Sequence, residues 1–123
     1  EPVGHKYNGK GINHPQNLYN LAKNNPDNTF IFSHFGGGLI FYEHMPEVKK
    51  ILRNVFYDCS AQPFLYNKSI FNMTLSSLTL KKVLFATDFP LIDIKRCLNE
   101  ISHLKTEEKN HILSYNPISV FNL

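Results

Sequence analysis

Three ionisable residues each stand at the end of a short apolar run: His34 after Thr29 to Ser33, Asp58 closing Val55 to Asp58, and Asp88 after Val83 to Thr87. Imidazole nitrogen and carboxylate oxygen are the usual donors to a catalytic zinc that keeps one position open for water. A metal held this way lowers the pKa of its water toward about 7, and a nearby carboxylate can take up and return a proton. His34 and Asp88 are the pair this chemistry selects, as metal ligands and catalytic groups together. Asp58 reads as a residue that ties neighbouring loops together by hydrogen bonds. Blander readings stand beside these: a histidine after a strand is often a hydrogen-bonded loop residue, and an aspartate before Phe89-Pro90 can simply start a turn.

Gly36-Gly37-Gly38 follows directly on His34-Phe35. A glycine turn between a strand and a helix is also how a phosphate cradle begins. This one lacks the Lys-Ser/Thr of a P-loop and the spacing of a dinucleotide fold. The reading that remains is a backbone turning sharply beside a site. The polar, glycine-containing opening from Glu1 to Gly11 is suited to covering such a site, with His5, Lys6 and Tyr7 as candidate substrate contacts.

The apolar runs that position these groups are four or five residues long and nearly continuous in hydrophobicity, as in parallel strands buried on both faces. They begin near residues 29, 55 and 83, a spacing close to the ~30 residues of a β-α-β unit. Helical patterns fill the gaps. Pro15 opens one with Leu18, Leu21 and Ala22; a second runs from Gly38 toward Arg53 with a break at Met45-Pro46. Ser69 to Leu80 is a diluted candidate, Ile94 to Leu104 a clear one, and Thr106 reads as the cap of a further short helix. The expectation is an α/β fold with right-handed crossovers, which puts the C-terminal ends of all three strands on one rim.

The 123 residues, 42% hydrophobic and with a formal charge of +3, suffice for a real core. The basic residues are scattered, which argues against a nucleic-acid surface. No run approaches the roughly 20 apolar residues of a membrane helix. Cys59 and Cys97 are too few for a disulfide framework, so reduced, partly buried thiols and a cytoplasmic setting are expected. His44, His103 and His111 fall in helical patterns and are expected at the surface.

Taken in order, Ser-His34-Phe-Gly-Gly-Gly, Phe-Tyr-Asp58-Cys-Ser-Ala, Leu-Phe-Ala-Thr-Asp88-Phe-Pro and the closing Asn116-Pro-Ile-Ser-Val-Phe resemble the amidohydrolase-related family. This is a group of TIM-barrel metal-dependent hydrolases that also includes decarboxylases of aromatic acids. The likeness spans nearly the whole chain. It implies that residues 1–123 are a single partial domain, the second half of a (β/α)8 TIM barrel. Residues 1–14 would be the rim loop after strand five, and 15–123 would run from helix five through strand eight to the closing helices. His34 then takes the place of the sixth-strand histidine and Asp88 that of the eighth-strand ligand and proton shuttle. Zinc is the implied metal, with manganese as the other candidate, and the substrate is a small carboxylate-bearing or aromatic molecule. A lining of Phe35, Phe64, Phe89 and Tyr66 would suit such a molecule, with Phe35, Phe89 and His5 as the candidate substrate contacts; the alternative is that the rings belong to the core and His5 to solvent.

The family's His-x-His pair and its fifth-strand histidine have no counterpart in this sequence. The expectation is therefore a chain that binds metal poorly and is inactive alone: a fragment, a decayed gene product, or a half completed by a partner, with a homodimer or the missing N-terminal half as candidates. Two alternatives stay open: a small α/β phosphate- or nucleotide-binding module, and an inactive half-barrel that acts as an interaction partner.

Overall fold

The computed structural model describes Gly4 and residues 8–123. Three strands form one sheet, β1 Phe30–Phe32, β2 Val55–Asp58 and β3 Val83–Leu84, in the order β1-β2-β3. Both pairings are parallel, with Phe32 opposite Tyr57 and Asp58 opposite Leu84. Helical segments make each crossover, as parallel pairing requires. All three strands therefore run the same way and deliver their C-terminal ends to one edge.

Side chains alternate across a sheet. Phe32, Val55, Tyr57 and Val83 share one face, and all are buried in the main core with Leu39, Leu52, Phe71, Ile101 and Ile112. On the opposite face Ile31 is exposed and Phe56 half-buried. Within the described residues, helices thus cover only one side of strands whose composition suits burial on both.

Helix α1, Pro15–Asn24, begins on a proline that loses nothing by lacking an N–H at this position. It buries Ala22 and packs Leu18 and Tyr19 against the core. The second stretch is broken where the sequence indicates, into a 3-10 segment Leu39–His44 and a helix Pro46–Ile51. The first of these carries Glu43 inward. Its carboxylate accepts from Tyr57 at 2.9 Å and from the Lys82 ammonium at 2.8 and 3.0 Å. Lys82 also donates to the Leu52 carbonyl at 2.7 Å, so one knot joins four segments around β2.

Several boundaries differ from the sequence reading. Sheet pairing of β3 stops at Leu84 instead of continuing to Thr87, because β2 ends at Asp58 and the Phe85 N–H turns to the Ile112 carbonyl at 3.0 Å. Ser69 to Leu80 is helical only over Ile70–Thr74, where the Thr74 hydroxyl bonds the Ile70 carbonyl and competes with helix continuation. Thr106 is the first helical residue instead of the cap; Lys105 takes the cap position, and its N–H donates to the Glu108 carboxylate at 2.8 Å. The last helical run is continuous from Thr106 to Phe121, with a π turn over His111–Tyr115 in its middle. His111 is half-buried there, 3.1 Å from Asn116 Oδ1, and is not a surface residue.

Candidate functional site at the C-terminal edge of the sheet

Where β1 ends, His34–Gly37 make a single helical turn that Gly38 closes, and every φ from His34 to Gly38 is positive: 55°, 55°, 63°, 62° and 95°. The turn is left-handed. For residues with a Cβ this hand costs roughly 1–2 kcal/mol each, so His34 and Phe35 need outside support while the three glycines do not. Gly36 has a second reason to be glycine, since a Cβ there would lie 2.9 Å from the Tyr57 ring.

That support comes from β2 and the core. Asp58 Oδ1 accepts from the His34 N–H at 3.2 Å, the Ser60 N–H at 3.0 Å and the Ser60 hydroxyl at 2.5 Å, and Oδ2 accepts from the Ser33 hydroxyl at 3.0 Å. The Tyr66 hydroxyl donates to the His34 carbonyl at 3.4 Å. Phe35 has no exposed surface and meets Tyr66 and Phe71 edge-on, with centroids 5.8 Å apart in both cases. Its ring is part of the core and is not presented to a substrate. The N–H groups of His34, Gly36 and Gly38 are all spent, on Asp58, the Ser33 carbonyl and the Phe35 carbonyl. A phosphate cradle would need those groups free.

The arm that carries Asp88 leaves the sheet after Leu84. The thiols of Cys59 and Cys97 lie against the consecutive carbonyls of Ala86 and Thr87, at 3.7 and 3.9 Å. Both cysteines are free and buried. Burial pushes the Cys59 thiol up to about 12, against the opposing effect of its Ala86 hydrogen bond. Burial also raises Cys97, against the opposing charge of Arg96. A thiol held protonated is a poor nucleophile and metal ligand.

Asp88 is exposed and has φ 68°, with its carbonyl accepting from the Leu91 N–H. Phe89 is 79% exposed beside it, its N–H on the Thr87 hydroxyl. Among the described residues, neither the Asp88 carboxylate nor the His34 imidazole makes a hydrogen bond or ion pair. His34 opens onto a cavity of about 260 Å³ lined also by Asn13, Ser33, Ile31, Leu18 and Gly37. Asn13 and Ser33 join His34 here although neither is a candidate site residue from the sequence. Ser33 was legible as a strand-end hydroxyl, whereas Asn13 carries no signal in its neighbourhood. His5, with Lys6 and Tyr7, lies outside the described residues.

Among the described residues, no three His, Cys, Asp or Glu side chains are grouped so as to hold an ion. Two donors at one edge do not make a complete site, which takes three protein ligands even when catalytic and open. Nor is any helix among these residues long and apolar enough to cross a membrane.

No curated protein matches the chain in sequence. Solved structures that share its fold include two decarboxylases. One is the 5-carboxyvanillate decarboxylase of Sphingomonas paucimobilis, with TM-score 0.70 and 13% identity over 88% of this chain and 39% of that one. The other is a dihydroxybenzoic acid decarboxylase from Polaromonas sp. JS666, with bound manganese and the inhibitor 2-nitroresorcinol. Its TM-score is 0.65, with 17% identity over 89% of this chain and 41% of that one. The chain thus spans about two-fifths of the length of either, and its parallel β-α units are part of a TIM barrel. The amidohydrolase family model matches residues 13–123, and the chain belongs to that family.

Proposed function

We propose that this chain supplies His34 and Asp88 to an amidohydrolase-type active site at the C-terminal edge of its barrel. The reaction class is metal-dependent hydrolysis or non-oxidative decarboxylation of a small carboxylate-bearing or aromatic substrate. One observation carries the reading. Of three ionisable residues at that edge, Asp58 has its carboxylate engaged by four donors, while the His34 imidazole and the Asp88 carboxylate are left unspent. Groups kept at a shared edge without partners are available to a ligand.

In this reading Asp88 holds and returns a proton at its carboxylate, and His34 orients the substrate through its imidazole. Exposed Phe89 offers an aromatic face beside them, and His5 is a further substrate contact. The manganese in one similar structure supports a divalent ion, with zinc as the other candidate. The described residues do not complete such a centre, so the remaining donors come from outside them. The 123-residue chain by itself is expected to hold an ion weakly and to show no turnover. The exposed Ile31 and the outer edges of β1 and β3, unpaired among the described residues, suit further β-α units, from a second copy or from the missing N-terminal half.

A manganese titration of the histidine-labelled chain, followed by NMR, tests this. The His34 ring signal is expected to broaden ahead of the other five histidines, and Asp88→Ala to abolish that preference. Equal broadening of all six would remove the proposal.

A further inference from the structure

We infer that Asp58 is the positioning residue of this edge: its carboxylate holds the left-handed turn in place and so fixes where the His34 imidazole points. The functional weight of this inference rests on the reading of His34 given above.

Asp58 reaches across from β2 to two consecutive residues of the β1 end, the Ser33 hydroxyl and the His34 N–H. Ser60, two residues further along its own strand end, adds two more donors on Oδ1. All four partners donate. A carboxylate offers acceptor sites on both oxygens and so meets all four donors, whereas the amide of an asparagine keeps one acceptor oxygen and can retain the Ser33 hydroxyl only by reversing that bond. A carboxylate engaged in this way ties the ends of two neighbouring strands together.

The turn is pinned at its other end as well. Phe35 is locked between Tyr66 and Phe71, and Gly36 sits against the Tyr57 ring. His34 lies between these two fixed points in a left-handed conformation that its own side chain does not favour. Its backbone is held from both sides, so the imidazole is limited to the directions that its own side-chain rotamers allow from that fixed Cα.

Metal-free NMR of the histidine-labelled chain reads the position directly, with the His34 signal assigned by His34→Ala. Asp58→Asn and Ser33→Ala are expected to move the His34 ring signal while those of His44 and His103 stay in place. Ser33→Thr, which retains the hydroxyl, should restore the wild-type position. An unmoved His34 signal in both variants, with only the thermal midpoint lowered, would overturn the inference and leave Asp58 as a stabilising residue. If Asp58→Asn fails to fold, the Ser33→Ala and Ser33→Thr pair decides alone. Adding manganese afterwards separates the two claims. Loss of selective broadening in the wild type counts against the proposed function, while the metal-free shifts stand or fall independently.

Discussion

The Tyr57 phenol donates to the Glu43 carboxylate at 2.9 Å in a place where neither side chain meets water, at 0% and 1% exposure. Lys82 supplies the countercharge from a side chain that is 13% exposed. Removing one partner of a buried pair costs more than the pair itself contributes, because a charge is left stranded. Lys82→Met is therefore expected to destabilise the chain by about 3–5 kcal/mol, and Tyr57→Phe by about 1–2 kcal/mol for one lost hydrogen bond. Combining Glu43→Gln with Lys82→Met should recover part of the first loss. Urea unfolding of the four proteins measures all three effects.

Alkaline pH should weaken the fold in two overlapping windows. Burial raises the Tyr57 phenol above its ordinary value of 10.0, and the Glu43 charge raises it further; burial raises the Cys59 thiol from 9.0 to about 12. Both groups are protonated in either state below their ordinary values, so their contribution is intact there. As pH climbs past 9.0 for the thiol and 10.0 for the phenol, the unfolded chain releases protons that the folded chain retains. Stability then falls by up to about 1.4 kcal/mol per pH unit per group. Cys59→Ala should flatten the onset and Tyr57→Phe the steeper region above it, as read from thermal midpoints across the series.

Two glycines of one turn should respond differently to alanine. At Gly38 a Cβ meets nothing within 4 Å, and only its φ of 95° opposes it; the expected loss is about 1–2 kcal/mol. At Gly36 the same kind of strain is joined by contacts of 2.9 Å to Tyr57 Cε1 and 3.1 Å to Leu39 Cβ. Tyr57 is tethered to Glu43 and cannot yield, so overpacking adds about 1–3 kcal/mol. Denaturant midpoints of Gly36→Ala and Gly38→Ala give the comparison.

Asn116 fastens the C-terminal helical run to the entrance of β3. Its Nδ2 donates to the carbonyls of Leu80 and Val83, both at 2.7 Å, and the residue is 3% exposed. Asn116→Ala leaves both carbonyls without this donor and is expected to cost about 2–4 kcal/mol. Asn116→Asp should be at least as damaging, since it sets a carboxylate against two acceptors. Hydrogen exchange at Phe85, whose N–H bonds Ile112, should accelerate in either variant.

The strands and their direction were legible because Phe30 to Phe32, Val55 to Tyr57 and Val83-Leu84 are apolar runs bounded by polar residues, and alternation with helices leaves few topologies. The order of rim residues followed from the same runs. What escaped reading depends on contacts between distant residues. Nothing around Glu43 announces that it turns inward, because its partners lie 14 and 39 positions away. Phe35 sits one residue from a rim histidine, where a ring can either line a site or join the core, and the left-handed turn decides for the core. The bonding capacity of Asp58 was anticipated, but its four partners were not. The pairing of His111 with Asn116 needs a π turn that periodicity cannot reveal.

That π turn over His111–Tyr115 has a bearing on length variation. A wide turn of this kind accommodates one residue more than the regular α repeat. Deleting a single residue between Ile112 and Ser114 would let the run close into an uninterrupted α-helix, with no broken backbone ladder to mark the change. The carboxamide two to four positions downstream would keep its place against the strand it anchors, because the wide turn is what absorbs the additional residue. Tolerance to indels here is thus one-sided: one residue can be lost at this turn with the docking intact, whereas a deletion in the regular part of the run would rotate everything beyond it by roughly 100°.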